Sequence, residues 1–256
     1  MARIFITGSA DGLGQLAAKA LIDQGHEVVL HARNEQRAGE AITHLPGARD
    51  VLTADLSNIE EIKALASKAN ASGTFDAVIH NAGVYRDSVN KTTHDGLPLL
   101  LVVNSLAPYI LTCLMHKPER LVYMSSGMHL QGTFDPDIST LDSDKGKIDV
   151  SYSDTKLHDL LLSLAVARKW QGIYSNAVNP GWVPTKMGGA GAPDSLESGI
   201  ATQVWLAGSD DDEVKVSGHY FRGKKQAHYL PQADNVELQD KFLSFCDQLT
   251  GVGFNG

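Results

Sequence analysis

The chain has 256 residues, 43% hydrophobic and 20% charged, with a formal net charge of -8. Length and balance suit one large α/β domain with a full core and exclude a disordered chain. The acidic charge argues against general nucleic-acid binding, which needs a basic surface, yet it is compatible with a local basic site for a phosphorylated ligand.

The opening Ala2-Arg3-Ile4-Phe5-Ile6 leads straight into a buried strand expected over 3–7, so no leader is read there. From Leu13, apolar residues recur at helical spacing (Leu16, Ala17, Ala20, Leu21), and Gly25 stands where such a helix stops. A strand over 27–32, a polar helix over 35–44 and a strand over 51–54 follow. Ser57-Asn58-Ile59-Glu60 has capping-box form and predicts the next helix. Further strands are expected over 75–80, 121–124, 174–178 and 219–221. Helices are expected over 97–115, with a kink at Pro108, and over 152–170, 196–206 and 236–249. Strand-helix alternation of this kind predicts a doubly wound parallel sheet in one domain spanning 1–256. The polar stretch within 127–151 reads as a long loop. No apolar run approaches membrane length, and the default setting is the cytoplasm. Cys113 and Cys246 read as buried free thiols, and neither they nor the ten histidines have metal spacing, so no metal is expected.

Three separated segments carry chemistry. Gly8, Gly12 and Gly14 lie between a strand and a helix, where glycine permits a tight turn and close approach of backbone N–H groups to a pyrophosphate at the helix start. Ser125 and Ser126 end a strand, and a hydroxyl there can polarise a carbonyl. Tyr152 and Lys156 are one helical turn apart and share a face. A phenol can supply the proton that a ketone oxygen needs as hydride reaches its carbon, and a nearby ammonium favours the phenolate for the reverse reaction. Past the strand over 27–32, Arg33 could pair with a ribose 2′-phosphate through a charge-assisted bond. NADP(H) is therefore favoured over NAD(H).

With Thr7-Gly8 opening a Gly-x-x-x-Gly-x-Gly spacing, His80-Asn81-Ala82-Gly83 after the fourth strand and Tyr-x-x-x-Lys at 152–156, the chain resembles the compact branch of the short-chain dehydrogenase/reductase family. Ser125-Ser126-Gly127-Met128-His129 and Ser217-Gly218-His219-Tyr220-Phe221 look like its retinol-dehydrogenase-like subgroup. The resemblance implies a Rossmann fold and hydride transfer between NADP(H) and a carbonyl or alcohol substrate, a small or lipophilic ketone or aldehyde. It implies Asn104, Ser126, Tyr152 and Lys156 as catalytic residues. For the cofactor it implies Gly8, Ser9, Gly12, Leu13 and Gly14, Asp55 and Leu56 at the adenine, Asn81, Ala82 and Gly83, then Pro180, Gly181, Val183 and Thr185 at the nicotinamide, with Tyr152 and Lys156 at its ribose. Met128, His129, Val150, Trp182 and Met187 are candidates to line the substrate pocket, to which the short Gly- and Ala-rich loop over 186–193 gives little coverage. The long helices are apolar on more than one face and imply a homodimer or homotetramer. The rival reading is a cofactor-binding regulator or scaffold of the same fold without turnover.

Overall fold

The computed structural model describes residues 1–135 and 148–255. Among these residues, eight strands form one sheet in the order β3-β2-β1-β4-β5-β6-β7-β8. They are β1 (Arg3–Ile6), β2 (Glu27–Ala32), β3 (Asp50–Thr53), β4 (Ala77–His80), β5 (Arg120–Met124), β6 (Tyr174–Val178), β7 (His219–Arg222) and β8 (Lys225–Gln226). All neighbours are parallel except β7 and β8. The short antiparallel β8 was not legible in its polar sequence.

Both faces of the sheet are covered, which is why the strands read as continuous apolar runs. In β1, Phe5 packs into one core, and Ile4 and Ile6 pack into the other. The first core takes α3 (Ile59–Ala71), α5 (Ala107–Leu114), α6 (Tyr152–Lys169) and α8 (Val236–Thr250). The second takes α1 (Gly12–Asp23), α2 (Glu35–His44) and α7 (Leu196–Gly208). Gly25, at φ 85°, follows α1 in the left-handed conformation.

Three expectations change. The cap of α3 is Asn58, whose side chain accepts from the backbone of Glu60 and Glu61, while the Ser57 hydroxyl donates to Asp55 instead. The helix predicted over 97–115 is not simply kinked at Pro108. It runs as α4 (Leu99–Leu101), a π-helical stretch (Val102–Leu106) and α5. Pro108 has no N–H for the carbonyl four residues back, that of Asn104, and the wide turn lies just upstream of it. The loop predicted over 127–151 opens with a 3-10 turn, Gly127–Gln131, and its residues 136–147 lie outside the described residues.

Helix α6 has no exposed residue along its length. Its apolar excess, which predicts pairing between copies, is buried within the chain against the π-helical stretch, α8 and the Phe134 ring. Among the described residues, no helix is long and apolar enough to cross a membrane.

Candidate active site

The strand order reverses between β1 and β4, and the carboxyl ends of β1, β4, β5 and β6 border one crevice. Gly8 and Gly12 there have φ of 63° and 58°, which favours glycine. A Cβ on Gly14 would stand 2.4 Å from the Gly8 carbonyl oxygen and 2.4 Å from Asn81 Nδ2, so only glycine fits. Side chains cap α2, α3, α6, α7 and α8, but Asp11 does not cap α1. The first-turn N–H groups of α1, around Leu13, thus lack a side-chain acceptor.

Asn81 ties this loop to β4. Its Nδ2 donates to the carbonyls of Thr7 at 2.9 Å and Gly8 at 3.1 Å, and the Thr7 hydroxyl accepts from Ala82 N–H at 3.0 Å. A clamp missed from sequence is His31 in β2. It accepts from Gly8 N–H at 2.9 Å and donates to the Ala54 carbonyl at 3.0 Å. Burial drives its pKa down to about 4, so the ring is neutral, as an acceptor nitrogen requires. Ser9 is fully buried, its hydroxyl bonded to Ile6 and His31, and it does not reach the crevice as a predicted cofactor ligand should.

Further out, Arg33 is exposed and unpaired among the described residues. Arg37 is held by Asp11 and Glu40, and Lys186 reaches the same Asp11 carboxylate at 3.2 Å. The carboxylate at the mouth of the loop is thereby flanked by two cations. Asp55 accepts from the backbone and hydroxyl of Ser57, and Leu56 is buried beside it.

The two serines divide by strand alternation. Ser125 is buried and donates to the Lys156 carbonyl at 2.7 Å. Ser126 caps the following 3-10 turn, accepting from Met128 N–H at 3.2 Å, and lines a cavity of about 600 Å³. Tyr152 lines the same cavity, with its hydroxyl 3.8 Å from Met187 Sδ. Ser151 and Asp154 form a capping box that fixes the start of α6 and so the placement of Tyr152.

Behind the phenol, the Lys156 ammonium stands 5.5 Å from the Tyr152 ring centroid. It donates to the Met124 carbonyl and to Asp159 Oδ2, each at 2.8 Å. Lys156 and Asp159 are both buried. Burial opposes the ammonium, but Asp159 and then Tyr152 outweigh it, and the Lys156 pKa is raised. Burial pushes the Asp159 carboxyl up to about 6 against the pull of Lys156. Tyr152 is raised by burial, with Lys156 only partly offsetting it. The expected lowering of the phenol by the ammonium is thus outweighed here, and the phenol keeps its proton at neutral pH. Asn104, in the π-helical stretch, accepts from Val84 N–H at 2.8 Å and donates to the Val84 carbonyl and to Thr155 Oγ1. A Cβ on Gly83 would lie 3.5 Å from Asn104 Oδ1 and 3.8 Å from Lys156 Nζ, so Gly83 separates the two.

Of the predicted pocket residues, Met128, Trp182 and Met187 line the main cavity, with Pro180, Gly181, Val183 and Thr185. Val150 borders a neighbouring hollow that shares Tyr85, Met128 and Tyr152. His129 is fully buried instead. Its Nδ1 donates to the Ser126 carbonyl at 2.6 Å and its Nε2 accepts from Leu230 N–H at 3.2 Å, so it is a clamp on the chain. Tyr85, with its ring 4.2 Å from that of Tyr152, and Arg86 and Arg222 also line the cavity. They come from remote segments, and no motif marked them. Among the described residues, no group of three or more His, Cys, Asp or Glu could hold a metal ion.

A family model described as enoyl-(acyl carrier protein) reductase matches residues 8–210. An uncharacterised oxidoreductase of Emericella nidulans is 47% identical, with 100% of each chain covered. The short-chain dehydrogenase chyC of Penicillium rubens is 44% identical over 98% of each. The crystal structure of an uncharacterised protein from Mycobacterium paratuberculosis superposes with a TM-score of 0.83 at 21% identity, covering 100% of this chain and 96% of that one. The protein belongs to the short-chain dehydrogenase/reductase family of oxidoreductases.

Proposed function

We propose that this oxidoreductase is an NADP(H)-dependent carbonyl reductase with Tyr152 as its proton donor. The observation that carries the reading is one cavity lined by both Tyr152 and Ser126, with the Lys156 ammonium buried behind the phenol. The crevice fits a dinucleotide. The uncapped start of α1, with Gly8, Gly12, Leu13 and Gly14, would hold a pyrophosphate. Asp55 and Leu56 would border the adenine, Arg33 would meet a 2′-phosphate, and Asn81, Ala82 and Gly83 would shape the floor. Pro180, Gly181, Val183 and Thr185 would hold the nicotinamide. When bound, the nicotinamide supplies or accepts the hydride.

The chain's own residues handle the proton. Ser126 donates a hydrogen bond that orients the carbonyl oxygen. Tyr152 gives that oxygen its proton, and burial keeps the phenol in the protonated form that the reductive direction needs. Lys156 steadies the phenolate that remains and would hold the ribose. Asn104 holds the Val84 backbone across the site and would maintain the path by which the proton is replaced. The free thiols Cys113 and Cys246 accord with a cytoplasmic setting.

Turnover of aldehydes and ketones, read by NADPH absorbance, tests the reading. Tyr152→Phe should lose at least about 100-fold in kcat while still binding NADPH, because only the acid is removed. A wild type that binds NADPH tightly and reduces nothing beyond background would instead favour the non-catalytic regulator.

A further inference from the structure

The charge around the cavity runs against that of the whole chain. Net charge is -8, yet among the described residues the charged ones lining the cavity are Arg86, Arg222 and Asp194. Asp194 is already engaged. Its Oδ2 accepts from Trp182 N–H at 2.7 Å, and a Cβ on Gly181 would fall 2.3 Å from the same oxygen, so it is wedged against the backbone. Arg222 Nη2 stands 3.7 Å from it, which is ion-pair range but too long for a hydrogen bond, and the guanidinium keeps its donors. Arg86 has no acidic partner among the described residues. Its Cζ lies 5.8 Å from the Tyr85 ring centroid, and its Nη1 lies 3.8 Å from where a Cβ on Gly189 would be, at the loop of residues 186–193. One arginine therefore enters from the loop after β4 and the other from the end of β7, on a cavity whose remaining walls are largely apolar, among them Met128, Trp182 and Met187.

A guanidinium presents a planar fork of donors that fits a carboxylate, and unneutralised positive charge at the mouth of a low-dielectric cleft draws anions to it. We infer that the cavity takes a carbonyl compound that carries a carboxylate, with its apolar body along Met128, Trp182 and Met187 and its charged end at Arg86 and Arg222. This rests on the reductase reading and narrows it: an acid rather than a neutral lipophilic ketone or aldehyde.

The test uses 4-formylbenzoate and its methyl ester, which share a skeleton and differ in charge. Each is titrated calorimetrically into the full chain loaded with NADP⁺ and then assayed with NADPH. The acid should bind and turn over about tenfold better than the ester at low ionic strength, and salt should narrow the gap. In the Arg86→Gln/Arg222→Gln variant the acid-to-ester ratio should fall to near one, through KM for the acid rather than through NADPH affinity. An ester bound as well as the acid overturns the inference. So does a variant that loses NADPH affinity while keeping the ratio, since the arginines would then serve the dinucleotide. Acid-selective binding without hydride transfer to either probe would sink the reductase reading and leave the anion site standing.

Discussion

Asp159 lies three residues beyond Lys156 and takes a hydrogen bond from its ammonium inside the protein. Around this pair stand the phenols of Tyr152 and Tyr123 and the amide of Asn104. The carboxylate raises both Lys156 and Tyr152. Asp159→Asn should therefore lower both pKa values, Lys156 because burial is then opposed by Tyr152 alone and Tyr152 because the ammonium is no longer compensated. The bell-shaped pH profile of alcohol oxidation should move bodily to lower pH. Loss of amplitude with both limbs in place would mean that the carboxylate only packs. Arg33 is the other decisive residue, because Arg37 is tied to Asp11 and Glu40. Arg33→Ala should weaken NADPH binding about tenfold and NADH binding hardly at all; equal losses in fluorescence titrations would refute the 2′-phosphate assignment.

Among the elements, the loop between β1 and α1 is the least tolerant. A Cβ on Gly14 meets the Gly8 carbonyl and Asn81 Nδ2 at once, and the first is backbone that cannot swing aside. Gly14→Ala should cost about 2 kcal/mol or more in denaturant unfolding and weaken dinucleotide binding, because relieving the clash shifts the loop that Asn81 holds. Wild-type unfolding and binding in that variant would show the loop to be pliable. Gly12 is different, since nothing lies near its Cβ position and only its backbone conformation requires glycine. The π-helical stretch shows how far pattern reading reaches. Pro108 signalled that this helix could not be regular, but the irregularity lies upstream, around the carbonyl four residues back to which Pro108 offers no N–H, and that carbonyl belongs to Asn104.

For the whole molecule, the response to acid is led by the three buried histidines whose pKa values burial lowers furthest. Burial lowers His31 and His158 to about 4 and His80 to about 3, against an ordinary value of 6.5. Below that ordinary value the unfolded chain binds protons that the folded chain refuses, so their contribution to stability is lost as pH falls. Asp159 works in the opposite sense. Its carboxyl is raised to about 6, so its protonated form favours the fold below the ordinary carboxylate value, and that contribution disappears as pH rises through 6. Near pH 5 the balance of these groups is roughly two protons, or about 3 kcal/mol of stability per pH unit. Urea midpoints measured between pH 6.5 and 4.5 should fall steeply; a flat series would show that these histidines titrate normally.

Most strands and helices were legible, because a sheet covered on both faces makes apolar runs and amphipathic helices show their period. The Gly8–Gly14 loop and the Tyr152–Lys156 spacing were legible for the same reason: their geometry is local, within one turn or one helical turn. The Lys156–Asp159 pair was equally local and could have been found from its i, i+3 spacing. The rest depended on where distant segments meet. Whether Ser9 and His129 face the crevice or clamp the chain, whether α6 keeps a free apolar face, and whether Arg86 and Arg222 share one cavity with Tyr152 follow from packing between segments far apart in the chain. Local patterns carry a residue's chemistry and the face it occupies on its own element; tertiary packing alone decides what stands opposite that face, because burial and charge pairing are set by neighbours that the linear order does not place together.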